Sequence, residues 1–262
     1  MNRPILEAAG LSVRRGARTI VEGVTLSLDP GGSVGVIGPN GGGKTTLLLA
    51  LRGLLKSEGT LQLGGLDPRE APRAAIARTV AVVPQRNEFE FSIRVEEMVL
   101  LGRAPYRKPW QKWGDQDRRI VAGWLERLGL STLASRPVDT LSGGERRRVF
   151  IARALAQETP VLFLDEPFAG LDPAAQEEIA TLLESIGREH ERTMVIVLHD
   201  LSRLERLCDQ VLGIAHGGVR LAGLCPDVLE VGALEELYGV PWIEATRADG
   251  ERLLVPRSGG VR

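Results

Sequence analysis

Gly38-Pro39-Asn40-Gly41-Gly42-Gly43-Lys44-Thr45 fits the pattern G-x-x-x-x-G-K-[ST]. It follows an apolar run, Ser33 to Ile37, that reads as a strand. It opens a helical run from Lys44 to about Leu55. Strand, glycine-rich loop and helix in that order make a cradle for phosphate. The glycines let backbone N–H groups curl around phosphate oxygens, and the helix start adds unsatisfied donors and partial positive charge. Lys44 is placed to reach β- and γ-phosphates, and the Thr45 hydroxyl to bind Mg²⁺.

Outward from this loop, apolar runs of strand length recur at Thr79 to Val83, Val161 to Leu164, Met194 to Leu198 and Val211 to Ala215. Helical patterns separate them. Runs buried on both faces and alternating with helices predict a parallel sheet in an α/β fold. Before the loop, Val24, Leu26 and Leu28 alternate with polar residues as in a half-buried strand. Residues Glu88 to Thr140 differ in kind. Helical patterns at Val95 to Leu101 and Asp117 to Leu128 flank a polar, aromatic loop, Arg103 to Gly114, and the whole reads as a helical insertion. Pro226 to Tyr238 reads as one helix, and Ile243 to Ala245 with Arg252 to Val255 as a closing strand pair.

Two more stretches carry chemistry. Val161-Leu162-Phe163-Leu164-Asp165-Glu166 is a buried strand ending in two carboxylates, and open α/β sheets bind ligands beyond the carboxyl ends of their strands. Asp165 would hold Mg²⁺ through water, and Glu166 would orient and deprotonate an attacking water. Leu141-Ser142-Gly143-Gly144-Glu145 opens a helical run to about Gln157. Ser142 and Glu145 form a capping box, which is a sufficient structural reason for the motif. The adjacent glycines also bare the helix N-terminus as a second anion site. Two phosphate sites in one chain cannot serve one nucleotide unless two chains meet.

Composition sets the limits. The chain has 262 residues, 43% hydrophobic and 26% charged, as in ordinary globular proteins. Its 31 glycines and 15 prolines follow no period, which excludes collagen-like and coiled-coil proteins. With 33 basic against 34 acidic residues there is no cationic surplus for a nucleic-acid partner. No run of 18 apolar residues predicts a membrane span, and Met1-Asn2-Arg3-Pro4 introduces no secretory leader. Cys208 and Cys225 lack metal-ligand spacing and read as free thiols in a reducing cytosolic setting.

Taken together, these motifs resemble those of the ATP-binding subunit of an ABC transporter. Gly38 to Thr46 is similar to the Walker A loop, Leu141 to Glu145 to the family signature and Val161 to Glu166 to Walker B. Gln85 resembles the Q-loop glutamine, Ala169-Gly170-Leu171-Asp172 the D-loop and His199 the switch histidine. The order and spacing match over residues 5 to 223. The resemblance implies a P-loop NTPase (RecA-like) core, residues 1–87 and 141–262, with an antiparallel β subdomain and an α-helical insertion subdomain, residues 88–140. It implies ATP and Mg²⁺ as cofactors. Gly38, Pro39, Asn40, Gly41, Gly42, Gly43, Lys44, Thr45 and Thr46 would hold phosphate. Thr45, Gln85 and Asp165 would hold Mg²⁺, and Glu166, His199 and Gln85 would serve hydrolysis. Ser142, Gly143 and Gly144 would act on the nucleotide of a second chain in an ATP-dependent homodimer with head-to-tail sites, with Asp172 at the dimer contact. The family's further partners are integral membrane permease subunits and, indirectly, an extracytoplasmic substrate-binding protein. That places the chain peripherally on the cytoplasmic face of the cell membrane.

Two positions depart from the family pattern. Arg14-Arg15-Gly16 stands where an aromatic usually stacks on adenine, leaving Arg15 as the adenine contact. Arg147 stands where glutamine is common. Val99-Leu100-Leu101-Gly102-Arg103-Ala104-Pro105-Tyr106, Pro226-Asp227-Val228-Leu229 and Leu237-Tyr238-Gly239-Val240 resemble the subgroup importing iron–siderophore complexes, haem and vitamin B12. Other ABC importers, exporters and non-transport ABC ATPases are the alternatives. Tyr106, Trp110 and Trp113 among Arg103, Arg107, Lys108 and Lys112 leave two readings: the Trp rings pack into the insertion's own small core, or the groove between the insertion and the Gln85 loop receives a cytoplasmic helix of the permease, with Arg103 on its exposed rim.

Overall fold

The computed structural model describes residues 3–85, 92–108, 110–190, 192–246, 250 and 252–257. In chain order the first elements are β1 (Leu6–Arg15), β2 (Arg18–Leu28), β3 (Ser33–Ile37), α1 (Lys44–Leu51), β4 (Glu58–Leu63), α2 (Arg73–Thr79) and β5 (Val80–Val83). Then come α3 (Val95–Leu100), α4 (Asp115–Arg127), α5 (Gly143–Ala156), β6 (Val161–Asp165), α6 (Pro173–His190) and β7 (Thr193–Val197). The chain closes with α7 (Leu204–Leu207), β8 (Gln210–Ala215), β9 (Gly218–Leu224), α8 (Cys225–Val228), α9 (Val231–Tyr238), β10 (Trp242–Thr246) and β11 (Arg252–Pro256).

Every residue of β3, β6 and β7 is buried. That burial explains why these strands are continuous apolar runs rather than alternating ones. Their side chains still point alternately to two faces. Val34, Val36, Phe163 and Val195 join Leu47, Leu48 and Leu51 of α1 in one core. Leu162, Leu164, Met194 and Ile196 join Ile151 and Leu155 of α5 in another. The strands lie in one nine-stranded sheet of order β4-β1-β2-β9-β8-β3-β7-β6-β5. From β8 through β5 the pairings are parallel. At the other end β1 pairs antiparallel with β2 and β4, which forms the antiparallel β subdomain.

The helical insertion packs through α5. Val95, Met98 and Val99 of α3 and Val121 and Leu125 of α4 belong to the same core as Ile151 and Leu155. The expected subdomain boundary between residues 87 and 88 lies outside the described residues, as does Pro109. Helix α4 begins at Asp115, two residues earlier than its apolar pattern, because the Asp117 carboxylate accepts from the Gly114 N–H at 3.2 Å.

Three expectations are corrected. The helix expected to reach Leu55 stops at Leu51, because Gly53 turns left-handed (φ 64°) and lies so close to the Pro68 carbonyl that a Cβ would stand 2.1 Å from it. The single helix expected from Pro226 to Tyr238 is two, α8 and α9, interrupted where Glu230 adopts an extended backbone. The interruption lets Leu229, Leu234 and Leu237 all reach the core. Arg103 is not on an exposed rim. It lies in a 3₁₀ turn, Leu101–Tyr106, and is only 5% exposed. Its guanidinium donates to the Ala156 carbonyl at 2.7 Å, pairs with Glu158 at 2.7 Å and Asp117 at 3.1 Å, and lies over the Tyr106 ring. The tryptophans of that segment divide. Trp110 is 100% exposed, whereas Trp113 packs half-buried under Arg107.

The strand pair at the end of the chain forms as expected, β10 with β11 antiparallel. Cys208 and Cys225 are buried and unbridged. Among the described residues no helix is long and apolar enough to cross a membrane.

Candidate active site

The loop between β3 and α1 has a shape that glycine alone permits at two points. Gly38 has φ 137°, and a Cβ on it would stand 2.0 Å from the Ile214 carbonyl oxygen. Gly43 has φ 109°, with the Ile20 carbonyl oxygen 2.7 Å from where a Cβ would be. Gly43 caps α1 without a side-chain hydrogen bond, so the first-turn N–H groups face the loop. A cleft of about 560 Å³ opens over Asn40 to Thr46, walled by Ile20, Gln85, Glu166 and His199. A larger cleft of about 1010 Å³ lies between the segment His199 to Arg206 and the β10–β11 pair. It contains no part of the glycine loop, so chemistry rather than size assigns the site.

Lys44 is buried, and its Nζ donates to the Gly38 and Pro39 carbonyls at 2.8 and 3.0 Å. Burial lowers its pKa, opposed by the charges of Glu166 and Asp165. The Thr45 hydroxyl donates to Asp165 Oδ2 at 3.3 Å, while Asp165 Oδ1 is buried with no hydrogen-bond partner. A buried unpartnered carboxylate oxygen beside a hydroxyl suits a hard divalent cation, which takes most of its other ligands from phosphate and water. Glu166 directly follows β6 in a left-handed conformation, φ 49°, that a non-glycine residue holds only where its surroundings enforce it. Its Oε1 meets His199 Nε2 at 2.6 Å, and its Oε2 accepts from Gln85 Nε2. Two residues far apart in sequence, Gln85 and His199, thus converge on the Glu166 carboxylate.

Burial raises the Asp165 carboxyl above the ordinary range, with the Glu166 charge adding to the rise and the Thr45 hydrogen bond opposing it. A carboxyl raised in the folded state binds its proton more tightly there than in the unfolded chain. Its ionisation at neutral pH therefore destabilises the fold, and the effect disappears below the unfolded pKa. Asp165→Asn should accordingly raise the melting temperature of nucleotide-free protein at pH 7. The gain should shrink as the pH falls toward the ordinary aspartate value of 3.8. A variant that melts at or below the parent temperature at pH 7 would contradict this assignment.

Ser142, Gly143 and Gly144 do not line the cleft of their own chain. Ser142 Oγ accepts from the Glu145 N–H at 3.3 Å, and the Glu145 carboxylate accepts from the Ser142 N–H at 2.8 Å. That capping box, led by the bond from the Ser142 backbone, holds the Glu145 carboxyl below its usual range. It leaves Ser142 and Gly143 exposed. Asp172 accepts from the Ala175 N–H at 3.0 Å and so caps α6. Arg15 is exposed opposite Arg18 in the β1–β2 pair and is not among the residues lining the cleft. Ile20 at the site was not singled out in the sequence, and Arg147 stood out there only as a departure from the family pattern with no role attached. Ile20 carries no local signal. Arg147 lies one turn before Ile151 on the buried side of α5, and its placement among apolar helix positions was the available sign.

Residues 21–169 match the family described as ABC transporter. The chain belongs to the ABC transporter family. It is 37% identical over 231 residues to the achromobactin transport ATP-binding protein CbrD of Dickeya dadantii (strain 3937), covering 88% of this chain and 86% of that protein. It is 39% identical over 262 residues to the hemin import ATP-binding protein HmuV of Pseudomonas aeruginosa PAO1, covering 97% and 100%. A solved chain of an ABC transporter in an inward-facing conformation, assigned to the metal-chelate type, superposes with a TM-score of 0.87 at 26% identity, covering 98% of this chain and 99% of that one. This ABC protein is thus a nucleotide-binding ATP hydrolase with the P-loop NTPase fold.

Proposed function

We propose that this ABC ATPase powers import of a metal chelate, of the iron–siderophore, haem or cobalamin class, through a separate membrane permease. The observation that carries this reading is similarity along nearly the whole chain to proteins named for achromobactin transport and hemin import. The loop from Gly38 to Thr46 binds the ATP phosphates, with Lys44 at the β- and γ-groups. Arg15 stacks on adenine from the β1–β2 hairpin. Thr45, Gln85 and Asp165 hold Mg²⁺, and the unpartnered Asp165 Oδ1 supports that donor set. The ion, when bound, offsets charge on the phosphate oxygens. Glu166 takes a proton from the attacking water while His199 and Gln85 fix its two oxygens.

The exposed Ser142 and Gly143, with Gly144 beside them, act on the nucleotide of a second chain, and Asp172 meets that chain, in an ATP-dependent head-to-tail homodimer. An isologous pair of this kind carries two equivalent composite sites. Residues 88–140 form the helical subdomain on the core of residues 1–87 and 141–262. Between the two lies a groove of about 330 Å³ whose rim includes Leu54 and Leu101, each 44% exposed. This groove receives a cytoplasmic helix of the permease and holds the ATPase peripherally at the membrane. The extracytoplasmic binding protein acts on it only through that permease.

The reading is tested by reconstituting the chain with its permease and binding protein in liposomes and measuring ATP hydrolysis with ferric siderophore, haem or cobalamin. One chelate class should stimulate hydrolysis and accumulate in the lumen in an ATP-dependent manner. Silence with all three, alongside stimulation by a free ion or an unrelated solute, would overturn it.

A further inference from the structure

Arg147 is only 5% exposed, one helical turn past Gly143 on α5. Its Nη1 donates to the Pro84 carbonyl at 2.9 Å and its Nη2 to the Glu166 carbonyl at 2.7 Å. Pro84 precedes Gln85, and Gln85 is the residue whose amide reaches the Glu166 carboxylate. One planar fork therefore spans the backbones on both sides of the Gln85–Glu166 pair. The Glu166 carbonyl also accepts from the Ala169 N–H at 3.2 Å. Together these bonds hold Glu166 in a conformation, φ 49°, that its own backbone preference disfavours.

The fork's charge matters as well as its shape. Burial weakens the Arg147 proton affinity, and the charges of Asp165 and Glu166 oppose that effect. A guanidinium stays protonated in proteins. Arg147 and Lys44 thus face two carboxylates across the end of β6. A lysine at this position keeps the charge but offers a point donor in place of two parallel ones.

We propose that Arg147 is a positioning residue for ATP hydrolysis, its fork holding Glu166 and the Pro84–Gln85 junction in the arrangement from which Glu166 takes a proton. This rests on the reading of Glu166 as general base. Arg147 rides on the helix whose first turn carries Ser142, Gly143 and Gly144, so the same fork ties the placement of that turn to the chain's own carboxylate.

The test measures steady-state ATP hydrolysis and, separately, binding of a fluorescent ATP analogue for the full-length chain and its Arg147→Met, Arg147→Lys and Glu166→Gln variants. Arg147→Met should lower kcat on the order of 10²-fold, the scale of a small misplacement at a reacting centre. Its nucleotide affinity should stay within about two-fold of the parent, because the lost interaction acts after binding. Arg147→Lys should recover part of kcat with the same affinity. Parent-like kcat in Arg147→Met, or affinity falling in step with kcat, would overturn the proposal. Should Arg147→Met fail to fold, Arg147→Lys decides it. Lowered kcat with intact binding supports the role, and parent-like kcat removes it. A fast Glu166→Gln variant would defeat the general-base reading and this role with it. A silent Arg147→Met beside an inactive Glu166→Gln would remove the Arg147 role alone.

Discussion

Glu166→Gln is expected to bind ATP as the parent does and to hydrolyse it about 10²–10⁴-fold more slowly, the range for loss of a general base. In free energy that is roughly 3–5 kcal/mol of transition-state stabilisation. The amide matches the carboxylate in shape, and its oxygen can still accept from Gln85 or His199, whose contacts define the carboxylate's position. What it lacks is basicity. Phosphate-release kinetics combined with an ATP titration separate the two effects. ATP should also accumulate unhydrolysed in a dimer whose mass is measurable by light scattering. Turnover near the parent rate would remove Glu166 from the chemistry, and a variant that stays monomeric with saturating ATP would count against sites shared between two chains.

Replacing Arg103 by glutamate should damage the fold rather than a docking surface. The guanidinium satisfies the buried Ala156 carbonyl and two carboxylates, Asp117 and Glu158. A glutamate would leave that carbonyl unpaired and set a third negative charge beside the other two. Breaking a fully buried charge network by removing one partner costs about 3–5 kcal/mol, and less where a carboxylate such as Glu158 is half-exposed. At roughly 2–4 °C per kcal/mol for a chain of this size, the melting temperature should fall by several degrees or more. Trp110→Ala, at a fully exposed side chain, should melt with the parent. Thermal melts of the two variants check the contrast, and an Arg103→Glu protein as stable as the parent would show the network to be dispensable.

Arg103 also shows where reading a sequence loses information. Its neighbours Tyr106, Arg107 and Lys108 make the segment look like a wet surface, and nothing local announces that Ala156 and Glu158, more than fifty residues away, close over it. The phosphate loop was legible because its chemistry is local: glycines at fixed spacing, then lysine and threonine on the first turn of a helix. The strands β3, β6 and β7 were legible because both their faces are covered, which writes them as unbroken apolar runs. Residues such as Gln85 and His199 carried no signal of their own. They gain meaning only when β5, β6 and β7 lie side by side and bring both onto the Glu166 carboxylate. The break between α8 and α9 was hidden for a similar reason. Pro226 to Tyr238 is apolar enough for one helix, and the packing of Leu229 and Leu234 interrupts it.

The two buried thiols make the chain chemically quiet. Burial pushes the Cys208 thiol well above its ordinary range and the Cys225 thiol to about 12. At neutral pH the reactive thiolate of Cys225 is then a fraction on the order of 10⁻⁵. Maleimides and spin labels should pass both by in the native protein. A cysteine introduced at an exposed position outside the site, such as Trp110 or Ser131, would then carry a single reporter without first mutating the natural pair. Distances between two such labels could follow the approach of one chain to another directly, in an otherwise unaltered protein.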